Sequence, residues 1–139
     1  MRCFISREYD KDTQEIGIQR WYYTWEDVYM DNHGYMSVRD AWKNPNCVCH
    51  FCLYRYTDEP DTYYLSSLWV REKSRKQGLG NKLVKCAKDE VFNTYSGSEI
   101  RLTVIKGSFM EKMYENLGFQ YMCDNEDEPN MVWMNLKKK

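Results

Sequence analysis

Several features that would point elsewhere are missing from this chain. Its 139 residues contain no run approaching the roughly 20 apolar residues of a membrane-crossing helix. The opening Met1-Arg2-Cys3-Phe4-Ile5-Ser6-Arg7 lacks the long apolar region of a secretion signal, so a cytoplasmic protein is expected. Its six cysteines then read as reduced thiols. The formal net charge is only −1, which gives no global attraction to nucleic acid or to an anionic membrane surface. The two histidines belong to no visible triad, so nucleophilic catalysis has no support. Internal repeats and low-complexity tracts are absent as well.

A metal site is also not expected. Cys47-x-Cys49-His50-x-Cys52 has ligand residue types. In a strand, however, Cys47 and Cys49 face one side while His50 and Cys52 face the other, and no second Cys pair has matching spacing. Small apolar packing residues are the expected role.

What is present describes one globular domain, 1–139, long enough for a hydrophobic core. Hydrophobic residues make up 42% and charged residues 29%, ordinary values for a globular protein. Aromatic content of 16% favours strands and a lined groove, though core packing accounts for much of it. The charge is uneven, −4 over residues 1–66 and +3 over 67–139. Such a split suits a cationic acceptor and an anionic cofactor, and ordinary surface scatter equally.

The chain is organised around residues 63–88. A strand-like run, Tyr63-Tyr64-Leu65-Ser66-Ser67-Leu68-Trp69-Val70, leads into a loop holding Arg71, Lys73, Arg75 and Lys76. Gln77-Gly78-Leu79-Gly80 then opens a helix, on which Leu79, Leu83, Ala87 and Val91 share a face. A helix N-terminus carries unpaired N–H groups and partial positive charge, and glycines let backbone approach a ligand. Such a junction binds an anion, most naturally a phosphate or pyrophosphate. No Gly-Lys-Ser/Thr follows, which excludes a P-loop, and Leu83 stands where a dinucleotide fingerprint needs its third glycine.

Around this core the expected elements are as follows. Cys3-Phe4-Ile5-Ser6 forms a first strand. A helix capped by Asp12 or Thr13 carries Ile16, Ile18, Trp21, Tyr22 and Trp25, with a helical turn over 26–30 that ends at His33-Gly34. Residues 35–70 form a three-stranded antiparallel meander with turns at 44–46 and 57–61. After Ser96-Gly97-Ser98 come a strand over 100–104 and a short helix ending at Gly118. Ser108-Phe109-Met110-Glu111 is that helix's capping box. Two strands, 119–123 and 131–136, close the chain, and the terminal lysines are a solvated tail.

The motif Arg75-x-x-Gly78-x-Gly80, between its strand and its helix, resembles the acetyl-CoA-binding motif of the GCN5-related N-acetyltransferase (GNAT) superfamily. A second stretch, Met113-Tyr114-Glu115-Asn116-Leu117-Gly118-Phe119, is similar to that family's Leu-Tyr-Glu-x-Leu-Gly-Phe. The order of elements also follows the family over nearly the whole chain. The resemblance implies an α+β GNAT fold: a mixed, mostly antiparallel sheet of about seven strands, splayed between the fourth and fifth, with about four helices. It implies acetyl-CoA as co-substrate, held in the splay. The backbone of Leu68, Trp69 and Val70 would pair with the pantetheine arm. Arg75, Lys76, Gln77, Gly78, Leu79 and Gly80 would hold the pyrophosphate. Backbone N–H groups at a strand bulge around Val70 would meet the oxyanion, and Tyr114 would act as general acid toward the thiolate.

The chain departs from the family in places. Gly107 and Met110 stand where many members have Asn and Ala, which leaves Ser108 to replace a cofactor contact. The central strand offers Ser66 and Ser67 where many members carry a glutamate base. Acids at 26, 27, 124 and 126–128 are open candidates, and a water relay from Ser66 is an alternative; no base is assigned. Trp25, Glu26, Tyr29, Ser66 and Glu126 are the candidate acceptor residues, for a small-molecule or peptide amine. No nucleic-acid or membrane partner is expected, and a homodimer stays open. The competing expectation is a GNAT-fold module that binds acyl-CoA or a protein partner with little or no catalysis.

Overall fold

The computed structural model describes residues 3–10, 17–27, 47–76 and 78–139. Within them the chain runs β1 (Cys3–Asp10), β2 (Ile18–Asp27), β3 (Cys47–Tyr56), β4 (Thr62–Val70), α1 (Leu79–Asp89), β5 (Glu99–Ile105), α2 (Phe109–Asn116), β6 (Gln120–Asp124) and β7 (Met131–Lys137). The strands form one seven-stranded sheet in the order β1-β2-β3-β4-β5-β7-β6. All neighbours are antiparallel except β4 and β5. The expected mixed, mostly antiparallel sheet is therefore present, with α1 and α2 as the α-helices among the described residues.

The clearest correction concerns residues 18–27. Ile18, Trp21, Tyr22 and Trp25 fit a helical spacing, yet the segment is β2. It is paired along its length with β1 and β3 from Asp10↔Arg20 through Trp25↔Cys49. Trp21, Tyr23 and Trp25 join the main core, while Tyr22 packs separately with Cys52. Both faces of this strand carry large apolar groups, so the two periods overlap in sequence; aromatic and Thr content suits the strand. Gly17, at φ +80, turns the chain into β2, and its carbonyl accepts from Thr57 N–H at 3.0 Å. The antiparallel meander therefore uses β2, β3 and β4. The expected strand over 35–43, the turn at 44–46, the cap at 12–13 and the His33-Gly34 stop lie outside the described residues.

The core lies on the face that carries both helices. Leu83, Val84 and Ala87 of α1 and Met113 and Tyr114 of α2 bury with Phe51, Leu53, Tyr63, Leu65, Ile100, Leu102, Val132 and Met134. The alternating burial of β5 and β7 reflects the two-residue strand period. After α1 a wide π turn, Glu90–Thr94, ends the helix. The chain then leaves through Gly97, where a Cβ would stand 2.8 Å from both the Tyr63 ring and Val91. Close packing, in addition to turn formation, selects this glycine.

Candidate functional site

The two parallel strands meet only at Thr62↔Glu99, Tyr63↔Ile100 and Tyr64↔Arg101. Beyond that pair β4 continues to Val70 and β5 to Ile105 without pairing to each other. Their divergence opens a cleft of about 400 Å³. One wall is β4 (Leu65, Ser66, Ser67, Leu68) and another β5 (Leu102, Thr103, Val104, Ile105). Ser108, Met110 and Tyr114 of the α2 region, Tyr54 of β3 and Trp133 of β7 complete it.

A bulge shapes the β4 wall. Pairing with β3 runs Cys49↔Val70 and His50↔Trp69, then slips to Cys52↔Ser66, so β4 carries one extra residue there. Ser67 takes φ +55, a left-handed conformation rare for a residue with a side chain. The bulge thus lies at 67–68, two to three residues before the expected position around Val70. This shift turns backbone of the cleft-lining segment away from the β3 ladder.

The basic loop ends at the helix as its composition requires. Lys76 and Gly78 both take left-handed φ, +65 and +77, and Gly78 is the N-cap of α1 without a side-chain cap. A left-handed N-cap without a side-chain oxygen leaves first-turn N–H groups available to an anion. Gly80 has an ordinary helical conformation; a Cβ there would press Met113 Sδ at 3.3 Å. That contact seats the start of α1 against α2, next to Tyr114. Arg75 Nε donates to the Val70 carbonyl at 2.9 Å, which ties the loop to the end of β4.

Tyr114 is buried, 5% exposed, with its ring 5.5 Å from Phe119. Burial pushes its phenol up to about 12, so it stays protonated throughout the neutral range. Ser108 accepts from Glu111 N–H at 3.2 Å as the N-cap of α2, while the Glu111 carboxylate accepts from Gly107 N–H at 3.2 Å. The capping motif is thus present, with its return bond one residue earlier than the usual box.

Of the expected site residues, the structure gathers Ser66, Leu68, Ser108 and Tyr114 in the cleft. Gly78, Leu79 and Gly80 begin α1, with Arg75 and Lys76 in the loop before it. Trp69 is not part of the cleft wall; its ring stacks on His50 at 5.2 Å. Trp25 packs on Phe51 at 5.6 Å. Glu126 is exposed in the loop between β6 and β7. Glu26 sits on β2 opposite Phe4 and Cys47. Tyr29 and Gln77 lie outside the described residues. Among the described residues no group of His, Cys, Asp and Glu is placed to hold a metal ion, and none of the described helices is long and apolar enough to cross a membrane.

Sequence reasoning missed the aromatic wall. Tyr54 stacks on Tyr64 at 5.0 Å, and Trp133 meets Tyr64 edge-on at 5.9 Å. Burial raises the phenols of Tyr54, to about 12, and of Tyr64. Arg20 lies 5.3 Å over the Tyr54 ring. The strand alternation of Tyr54, Tyr56, Arg101 and Thr103 was a usable signal for a shared face. Which strands would part beside them came from the family resemblance, which put the splay between the fourth and fifth strands, where β4 and β5 do part.

A model of the acetyltransferase (GNAT) family matches residues 2–119. No curated protein sequence matches the chain. Among solved structures, a Bacillus subtilis acetyltransferase in complex with CoA is similar at TM-score 0.67 and 17% identity, covering 99% of this chain and 100% of that one. The Vibrio cholerae spermidine N-acetyltransferase in complex with CoA and spermine has TM-score 0.66 and 15% identity, covering 91% and 69%. Escherichia coli ElaA has TM-score 0.62 and 13% identity, covering 85% and 68%. At these identities the likeness is one of fold.

Proposed function

Because the chain belongs to the acetyltransferase (GNAT) family, we propose that it is a single-domain, cytoplasmic N-acetyltransferase that moves an acetyl group from acetyl-CoA to a primary amine. The observation that carries this reading is the cleft itself: β4 and β5 part beyond Tyr64↔Arg101, and Tyr114 lines the space between them. The glycine-opened start of α1 touches the same helix that supplies Tyr114.

In this reading the pyrophosphate of acetyl-CoA rests on the first-turn N–H groups after Gly78, with Lys76 and Arg75 beside it. The pantetheine arm follows β4 as an added strand. The amine nitrogen attacks the thioester carbonyl directly. Backbone N–H groups of the bulge at Ser67 and Leu68 stabilise the oxyanion. As the tetrahedral adduct collapses the C–S bond breaks, and the thiolate takes the Tyr114 proton. A phenol held at about 12 is protonated at neutral pH and so has a proton in place as charge builds on sulfur; the tyrosinate, the stronger base of the two, then regains a proton from solvent. Small-amine acceptors are favoured, in keeping with the spermine bound by the Vibrio enzyme.

The cleft walls among the described residues include no Asp or Glu. This observation favours a second reading, a module that binds acyl-CoA or a protein partner with little turnover. In the enzyme reading, water held by Ser66 carries the amine's proton away.

Calorimetric titration with acetyl-CoA, with coenzyme A and ATP as comparisons, tests the cofactor site. Saturable binding weakened by Gly78→Glu supports it. Folded protein that ignores millimolar acetyl-CoA overturns it. Thiol release with a panel of polyamines, amino sugars and peptide amines then separates enzyme from binder.

A further inference from the structure

We infer that His50 is a positioning residue: it holds the β4 bulge in its left-handed turn, so that the backbone at Ser67 and Leu68 faces the cleft. Four observations carry this. The register slip and the +55 φ of Ser67 coincide at one place, inside the cleft wall. His50 borders that place on β3, paired with Trp69, the residue that follows the bulge. Its ring stacks on Trp69 at 5.2 Å and 23° and hydrogen-bonds the Ser67 backbone. The imidazole therefore grips both arms of the bulge, one by stacking and one by a hydrogen bond. Finally, the side chain is 8% exposed, with Thr24 of β2 across its other flank.

The chemistry is consistent with a neutral donor. Burial lowers the imidazole below its ordinary value, against the raising effect of the Ser67 bond. The Ser67 bond raises the imidazole, so the ring is the donor in it. A left-handed Ser is rarely adopted without such support. A backbone left unheld here would relax into the β3 ladder and withdraw its N–H groups from the cleft. His50 touches no reacting atom in this scheme.

The inference rests on the acetyl-transfer reading for its effect on turnover, but not for its effect on the backbone. Three variants test it: His50→Leu, His50→Gln and His50→Leu with Ser67→Gly. His50→Leu is expected to lower kcat/KM for acetyl-CoA about tenfold, the scale of one lost hydrogen bond. His50→Gln, whose amide nitrogen replaces the ring N–H as donor, should stay within about threefold. Ser67→Gly should recover most of the loss, because glycine takes the left-handed turn unaided.

The Ser67 Cα shift and HN–Hα coupling in solution NMR report the turn without any substrate. They should leave their left-handed values in His50→Leu and keep them in His50→Gln. If wild type does not bind acetyl-CoA, the transfer reading falls and the NMR result alone decides the inference. A folded His50→Leu protein with unchanged Ser67 signals overturns it. A loss of kcat/KM that neither Gln nor Ser67→Gly repairs does so too, since packing alone would then explain it. His50→Phe keeps the stack and removes only the donor, and it gives the same reading if His50→Leu does not fold.

Discussion

Tyr64 and Arg101 form the last pair that joins β4 to β5, and the Arg101 guanidinium hydrogen-bonds the Tyr64 phenol across it. Arg101 is itself held by Glu99 at 2.9 Å, which also accepts from Asn135 of β7 at 3.0 Å. This small polar cluster sits where the sheet stops being continuous and the cleft begins.

The Glu99 carboxyl titrates as part of that cluster. Burial raises it, but the hydrogen bonds from Arg101 and Asn135 outweigh burial and hold it below the ordinary carboxylate range. Its stabilisation is therefore present above the unfolded value, near 4.5, and is lost as pH falls through the lower folded value. Glu99→Gln should cost about 1 kcal/mol at pH 7, the scale of a partly exposed pair, and the deficit should shrink toward pH 3. Urea midpoints for both proteins across that range check it.

Tyr114→Phe should lower kcat by about 100-fold, the low end of general-acid contributions, while the calorimetric affinity for acetyl-CoA stays within about twofold. Equal kcat for both proteins would remove Tyr114 from the chemistry.

The same phenol predicts alkaline behaviour. Its folded value, pushed up to about 12, lies above the ordinary 10. The stability it contributes is complete below pH 10 and lost as pH rises through 12, a loss of roughly 2–3 kcal/mol. Tyr114→Phe should therefore resist alkaline unfolding better than wild type, as followed by circular dichroism between pH 9 and pH 12.

The glycines separate strain from contact. Gly78→Ala meets no atom within 4 Å but must take φ +77, so it should lose about 1 kcal/mol of stability. Gly80→Ala meets only the flexible end of Met113, at 3.3 Å, and should change stability by less than about 0.5 kcal/mol. Gly78→Glu should in addition weaken acetyl-CoA binding, since its side chain enters open space beside the first turn of α1 with a carboxylate.

Gly97→Ala should be the most damaging of the glycine changes. Its methyl would stand 2.8 Å from Tyr63 and Val91, which are 1% and 0% exposed and cannot move aside. A loss of about 1–3 kcal/mol is expected from such overpacking, read from urea unfolding. A neutral result would mean that the turn after the π segment adapts.

The amphipathic pattern of α1, the Ser108 cap of α2 and the alternation in β5 were legible because each depends on residues a few positions apart. The second element was not. Ile18, Trp21, Tyr22 and Trp25 satisfy a helical spacing, and only pairing with β1 and β3 on both sides makes them a strand. The glycine junction and Tyr114 were visible as motifs, whereas the aromatic wall of Tyr54, Tyr64 and Trp133 was not, because Trp133 comes from β7, far along the chain from the other two.

By itself the sequence determined the local chemistry: a basic, glycine-opened helix start, a buried-face tyrosine four residues after Met110, and strands of alternating polarity. These follow from backbone sterics and side-chain period, which act over a few residues. Tertiary structure alone decided where β4 and β5 part, after Tyr64↔Arg101, that the bulge falls at Ser67, and that His50 borders it. Register and divergence depend on packing energies summed over the whole sheet, and no short window of residues contains that sum.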